Sequence, residues 1–364
     1  MVIFLTVFYL QRYLYRKWWE KGLAARVRFS ENHVYQGDTV SLTEEIVNDK
    51  QMPLPAVEIR FALDKELSYL NDARENASVS DKNYRRDVFS LFARQKTIRS
   101  FPVACQRRGY YEIRELEMVG YDFFFQKKYF RTLPQDAALY VYPRQVDIRR
   151  IRLVHQALSG MRLVQNRLYQ DPFAFAGIRA YDPTDPMNRI NWKASAKSGE
   201  LMVNQFDATT NICVRCFLDV ADSHILKYPH LVEEGISIVT SLAVQLVTDH
   251  MDLDVIGNAQ RLSLSLKAGT DRLDELYRAL ACIQTDHISC SMGLLLREES
   301  RHVRENCLYL LVSKNDDEET VQGAQTLAAA GANLLWVLPA DFRSESGRER
   351  QENGIKLMRW EVES

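Results

Sequence analysis

The chain has 364 residues, 46% of them hydrophobic and 26% charged; one core rarely grows that large, so two folded domains are expected. Its formal net charge of −1 leaves no overall field to draw nucleic acid or acidic substrates, and no nucleic-acid partner is expected. The six cysteines, Cys105, Cys213, Cys216, Cys282, Cys290 and Cys307, are scattered along the chain without a disulfide framework, which suits a reducing compartment.

Residues 1–22 read as a short membrane-associated helix. Met1 to Leu10, MVIFLTVFYL, carries no charged side chain, and Arg12, Arg16, Lys17, Trp18, Trp19 and Lys21 follow. No small-residue cleavage site follows, which argues against a secretory signal peptide. The run is short for a span of ~20 apolar residues, but Arg12 can snorkel and Trp18 and Trp19 suit an interfacial belt. The basic side chains all lie after the run, which predicts a cell-membrane protein with its soluble domains in the cytoplasm. Competing readings are a helix lying in the interface, a core helix, and one half of a membrane hairpin.

Residues 23–142 read as an Ig-like β-sandwich. Segments 25–29, 40–47, 56–63, 96–105, 110–119 and 138–142 are short, alternate in part and are bounded by turn residues. Glu66 to Arg86 is polar and poor in strand formers, so a long loop or crossover is expected there.

Residues 143–206 read as a connecting segment, and 207–364 as an α/β domain. Strands are expected at 212–219, 253–257, 262–266, 307–312, 332–338 and 356–362. Helices are expected at 229–250, 271–283 and 318–330, the last ended by Gly331 as a cap. That alternation implies a doubly wound, mostly parallel sheet with helices on both faces and one antiparallel strand at an edge. Glu345 to Glu352, ESGRERQE, reads as a solvated loop or helix face.

The most distinctive stretch is FAGIRAYDPTDPMNRINWKASAKSGELMVNQF, Phe175 to Phe206. Pro183 and Pro186 make a rigid turn around Asp185. Arg179 and Arg189 offer planar forks to Asp182 or Asp185. Trp192 can bury a large face, and Gly199 allows a turn before a strand begins at Leu201. Gly177, Arg179, Tyr181, Pro183 and Asp185, followed by Arg189, Ile190, Trp192, Lys193, Ala194, Ser195 and Ala196, closely resemble the signature of the family catalogued as domain of unknown function 58. The resemblance implies a bacterial membrane protein with an N-terminal membrane segment, a β-rich domain, the motif and a von Willebrand factor A-like domain. It also implies a MoxR-type AAA+ ATPase as partner. From the residues themselves, the motif reads first as a structural lock and second as a binding surface.

Von Willebrand factor A domains often hold Mg²⁺ through Asp-x-Ser-x-Ser after the first strand, with a Thr and an Asp from later loops. Here Asp219 and Ser223 match, Ala221 replaces a Ser, Thr270 fits the second loop, and Ser313 stands for the Asp of the third. The pattern is degenerate, and no cofactor is assigned with certainty beyond this candidate Mg²⁺ site. In the plainer reading Thr270 caps its helix and Asp219 accepts backbone hydrogen bonds at the strand end. Cys213 and Cys216 fall within one strand on opposite faces, and the seven histidines form no HExxH pair. Neither a G-x-S-x-G elbow nor a Walker loop is present. The expectation is a non-enzymatic, membrane-tethered scaffold binding protein and, through its N-terminus, lipid. The alternatives are an envelope-associated hydrolase using carboxylates at the sheet edge, and an extracellular adhesion module of opposite topology.

Overall fold

The computed structural model describes residues 2–70, 78–79, 82–147, 170–183, 185, 187–208, 213–222, 227–249, 251–259, 262–267, 272–285, 287–304, 307–341, 350–352 and 355–362. The chain is mixed α/β and divides into two compact units. One comprises Met1–Arg144 with Tyr277–Ile283, and the other Gln145–Leu276 with Gln284–Ser364.

The first unit opens with α1 (Val2–Trp18), followed by β1 (Leu23–Phe29), β2 (His33–Tyr35), β3 (Thr39–Asn48), β4 (Leu54–Asp64) and β5 (Leu67–Tyr69). Then come β6 (Ser78–Val79), β7 (Lys82–Leu91), β8 (Gln95–Cys105), β9 (Gly109–Tyr121) and β10 (Lys128–Tyr142). They form a four-stranded sheet, β1-β3-β8-β5, and a six-stranded sheet, β2-β10-β9-β4-β7-β6. Leu42, Ile46, Ile59, Leu116, Met118 and Leu139 are among the buried side chains of one core, so this unit is a β-sandwich. The polar stretch expected as a loop instead contributes β5, β6 and the start of β7, whose Lys82–Leu91 pairs antiparallel with β4.

Charged residues lie inside this sandwich. Arg85 is buried, with its guanidinium carbon 3.5 Å from the centroid of the Phe101 ring. Its Nε donates to Asp87 at 2.5 Å and lies 3.6 Å from Glu44. Buried Glu44 keeps its proton: burial first, then the Asp87 carboxylate beside it, pushes it up to about 8 from the usual 4.5.

The C-terminal half of α1 belongs to the same core. Tyr15 is 1% exposed and Trp19, just past the helix, 4%. Trp19 stacks on Tyr129 at 5.9 Å, and a Cβ at Gly120 would meet its ring at 2.4 Å, so only glycine fits there. Lys50 donates to the carbonyls of Trp18 and Trp19, completing the helix end. Trp19 is therefore a core residue and not, as the sequence suggested, part of an interfacial belt; Trp18 is exposed. The N-terminal half carries exposed Ile3, Val7 and Leu10.

The second unit begins with β11 (Gln170–Ala180), α2 (Trp192–Ser198) and β12 (Met202–Ala208). β11 and β12 pair antiparallel, so the later part of the expected connecting segment contains a small two-stranded sheet. Next in the chain come β13 (Cys213–Leu218), α3 (Pro229–Thr248), β14 (Asp252–Gly257), β15 (Ser263–Leu266), α4 (Leu273–Cys282), whose residues from Tyr277 on are grouped with the first unit, and α5 (Met292–Glu299). The last elements are β16 (Cys307–Val312), α6 (Glu318–Ala329), β17 (Asn333–Asp341), β18 (Arg350–Glu352) and β19 (Ile355–Val362). The seven-stranded order is β15-β14-β13-β16-β17-β19-β18, antiparallel only at the two edges, β15 and β18.

This is a doubly wound sheet. α5 and α6 cover the face presenting Phe217, Tyr309 and Leu311. α3 packs on β13, β14, β16 and β17. Among the described residues α3 is the helix long and apolar enough to cross a membrane, but 78% of its apolar window is buried, as a core helix requires. Gly331 has φ +94° and ends α6 as expected. α5 was not anticipated, and 350–352, expected as loop or helix face, form the edge strand β18.

Two outcomes follow. Trp19→Ala should destabilise the protein by about 3 kcal/mol in urea unfolding, because it empties a packed site. Glu44 holds its proton more tightly folded than unfolded, so its presence lowers stability as pH rises from about 4.5 to about 8. Glu44→Gln should remove that decline, seen as a urea midpoint that changes less across the same pH window.

Candidate functional site

An open α/β sheet binds ligands outside the carboxyl ends of its strands, where strand order reverses. β13 lies between β14 and β16, and the loops after all three strands meet at Asp219. That residue is 4% exposed. Its Oδ1 accepts from Ala221 N at 3.0 Å and Asn258 Nδ2 at 2.6 Å. Its Oδ2 accepts from Ser313 Oγ at 2.6 Å and Asn315 Nδ2 at 2.8 Å. Asn258 Oδ1 in turn accepts from Val220 N at 2.9 Å, and Asn315 Nδ2 also reaches Ala221 O at 2.8 Å.

Asp222 sits on the same rim. Its Oδ2 accepts from Tyr228 N at 2.7 Å, and its Oδ1 is paired with the Nζ of Lys314. The Lys314 side chain is 1% exposed, so its ammonium group has left water for this carboxylate.

These donors do not fit a hard divalent cation. Mg²⁺ demands oxygen ligands in near-octahedral array, yet each oxygen of Asp219 is taken by two donors and Asp222 by an ammonium group. Ala221 adds no ligand side chain. The other two expected ligands, Ser223 and Thr270, lie outside the described residues, among which no group of three or more His, Cys, Asp or Glu could hold a metal. Asp219 accepts one backbone hydrogen bond, as the plainer reading expected, and three from the side chains of Asn258, Ser313 and Asn315. Sequence reasoning noted Ser313 but missed Asn258, Lys314 and Asn315; an uncharged donor and a lysine directly after the strand at 307–312 were the available signal.

Beside the rim is an open depression of about 520 Å³, lined by Asp219, Cys290, Ser291, Asn315 and Glu319 among others. Its carboxylates are engaged too. Asp317 accepts from Thr320 N at 2.8 Å as the cap of α6, and Glu319 accepts from Ser291 Oγ at 2.7 Å.

The motif folds locally. Arg179, on β11, donates from Nη1 and Nη2 to Oδ2 and Oδ1 of Asp185 at 2.7 and 2.6 Å, a two-pronged pair. Asp185 also accepts from Asp182 N at 3.0 Å, closing the turn that holds Pro183. Asn191 caps α2 through Ala194 N at 2.9 Å. Ser195 Oγ donates to Asn191 O at 2.8 Å and accepts from Met202 N at 2.8 Å, joining α2 to β12. Gly199 ends α2 at φ +79°. Gly177 lies on β11 and Arg189 in a single 3-10 turn, Met187–Arg189. Tyr181 N donates to Leu201 O at 2.9 Å. Trp192 is 67% exposed and does not bury a large face as expected, and Lys193 is exposed as well. Cys213 lies opposite Cys307 in the sheet, Cys216 is buried, and all six cysteines are free.

No family model matches the chain, and no curated protein matches it. Solved structures do. The CARDB domain of a Pyrococcus furiosus protein, in complex with di-metal ions, is 10% identical with a TM-score of 0.20 over 32% of this chain and 93% of its own. A non-cellulosomal cohesin from Archaeoglobus fulgidus is 7% identical, with a TM-score of 0.22 over 36% of this chain and 97% of its own. A β-glucosidase from Listeria innocua is 12% identical, with a TM-score of 0.17; the match spans 33% of this chain and 16% of the glucosidase. At these TM-scores the likenesses carry nothing about activity, substrate or partner.

Lys314→Met should leave Asp222 without its buried counter-charge and destabilise the protein by about 3 kcal/mol. Calorimetric titration of the unaltered protein with millimolar Mg²⁺ should give no heat of binding, and a saturable heat would contradict the donor assignment.

Proposed function

We propose that this chain is a membrane-tethered, non-enzymatic interaction scaffold of the domain of unknown function 58 type. In this reading its C-terminal unit is a von Willebrand factor A-like domain that works with a MoxR-type AAA+ ATPase in a chaperone-like or assembly role. The order β15-β14-β13-β16-β17-β19 with an antiparallel strand at the β15 edge supports the A-like assignment. α1 supplies the tether, with the soluble units on the cytoplasmic side.

The observation that carries the reading is the state of the rim. A general acid, base or nucleophile needs a group free to exchange a proton or attack. Asp219, Asp222, Asp317 and Glu319 are each committed to donors of the protein itself. A hydrolase built on these carboxylates would have to break that network first. The same observation argues against partner capture at Asp219, because that carboxylate is buried. The motif offers a better surface. Trp192 and Met187 are 67% and 72% exposed, on a segment held rigid by the Arg179–Asp185 pair and the Asn191 cap. Exposed tryptophan on a preorganised backbone suits a protein interface.

The test is co-purification of the full chain, in membranes, with a purified MoxR-type AAA+ ATPase under crosslinking. The unaltered chain should retain the ATPase. Trp192→Ala should weaken retention by about tenfold or more, while the unfolding midpoint stays within about 0.5 kcal/mol of the parent. Failure of the unaltered chain to retain the ATPase would remove this partner.

A further inference from the structure

The β9–β10 hairpin ends in an aromatic tip that neither the sandwich core nor the rim uses. Asp122 to Lys128 reads Asp-Phe-Phe-Phe-Gln-Lys-Lys. Phe123, Phe124 and Phe125 are 49%, 44% and 59% exposed. Three adjacent phenylalanines left in water are unfavourable, and contiguous exposed apolar patches mark interaction sites. The loop is also built to present them. Asp122 is fully buried, and its Oδ1 accepts from Gln126 N at 2.8 Å and Lys127 N at 3.3 Å. Phe125 N donates to Asp122 O at 3.0 Å, and Phe125 itself sits at φ +56°, a conformation uncommon outside glycine. A fixed turn in that conformation holds the rings outward at little further loss of entropy on binding.

The tip packs against α1 on the side that carries Phe8 and Tyr15. Phe124 lies 5.4 Å from Phe8, and Phe123 lies 5.8 Å from Tyr15. On α1, Ile3, Val7 and Leu10 recur at helical spacing and are exposed. Positive charge flanks both: Arg12, Arg16, Lys17 and Lys21 along and just after the helix, Lys127 and Lys128 at the tip. The acids in these segments are Glu20 and the buried Asp122, whose Oδ1 is engaged by the turn. Aromatic rings rimmed by lysine and arginine are the composition that partitions to the headgroup region of an anionic bilayer. The second half of α1 is docked on the sandwich through Tyr15, which fixes the helix beside the tip.

We propose that Phe123–Phe125, with Lys127 and Lys128, form a second membrane contact that inserts beside α1 into the interface of an anionic lipid bilayer. This rests on the tethering reading above, and the two are separable. The experiment is flotation of the full chain with vesicles of phosphatidylcholine mixed with phosphatidylglycerol, and with phosphatidylcholine alone. Partition should be stronger to the mixed vesicles. Phe124→Ser/Phe125→Asn should weaken partition to them by about tenfold or more, since two rings lose their apolar contact, with unchanged circular dichroism. Phe125→Trp, which keeps an aromatic ring, should float like the parent and gain emission quenched by lipids brominated in their acyl chains. Val7→Asp/Leu10→Asp should also lose flotation if α1 is the tether.

If the tip double variant floats like the parent and the Phe125→Trp emission is unquenched, the second contact is refuted; loss of flotation by the α1 variant then leaves tethering intact. If the α1 variant floats like the parent while the tip variant does not, the tip contact stands and the tethering reading fails. Equal partition to both vesicle types would overturn the anionic requirement. A tip variant that keeps its partition but loses self-association in sedimentation would assign the tip to a second copy of the chain and overturn the proposal.

Discussion

Asp219 joins the ends of three adjacent strands by being unavailable to anything else. Its backbone N–H continues the ladder to Val312 at 2.9 Å, while its side chain binds groups from the loops after β13, β14 and β16. A buried carboxylate is stable only when its lone pairs are met by donors, and four donors meet these. Lys314 on Asp222 does the equivalent work with a full charge. Together they give the crevice of a doubly wound sheet an internally bonded rim. A cation could play the same cross-linking part, and the protein has used amides, a hydroxyl and an ammonium group instead. The consequence is a rim whose described carboxylates are each held by donors of the protein itself.

The helix α1 illustrates how far one residue can change a reading. Composition alone reads residues 1–22 as a membrane-associated helix, and Ile3, Val7 and Leu10 are exposed on it. Trp19 is not. It lies flat against Gly120, where no side chain fits, and stacks on Tyr129. The end of the helix is thus a structural part of the sandwich, and tilting it away would empty a core site. A helix fixed in this way orients whatever its other half enters. It also brings Phe8 and Tyr15 against the hairpin tip, so that two segments far apart in sequence lie side by side.

Much of this was legible before the structure. The strand at 307–312, CLYLLV, is apolar on both faces because a central parallel strand is covered twice, and its bounds coincide with β16. The helix ended by Gly331 and the antiparallel strand after Asn258 were equally plain. What failed to show were elements whose sequence argues against their environment. β7 contains Arg85, Arg86 and Asp87 and scores as a loop, yet Arg85 is buried because Phe101 and Asp87 take its face and its edge. α5 is short, and Gly293 within it reads as a helix breaker; it is there because its Cα approaches Gly323 of α6 so closely that a Cβ on either would collide with the other helix. The donors around Asp219 were illegible for another reason. Asn258, Ser313 and Asn315 are ordinary loop residues, and only the sheet order brings them together.

The motif shows that density of distinctive residues does not by itself say which of them are buried. Arg179 and Asp185 behave as a lock, but a local one: six positions apart, half in solvent, closing a turn within one small sheet. Such an exposed pair contributes little to stability, about 1 kcal/mol or less, so stability alone is a weak reason for so elaborate a turn. Trp192 gives a stronger one. A tryptophan anchoring a core would be covered, and this one presents two thirds of its surface at the start of a capped helix. The turn, the Asn191 cap and the Ser195 bridge to β12 together fix the backbone beneath an exposed ring. Rigidity under an exposed aromatic side chain favours association, because the loss of freedom on binding has already occurred in folding. In the proposed reading, the lock and the binding surface, which the sequence presented as rivals, are two parts of one device.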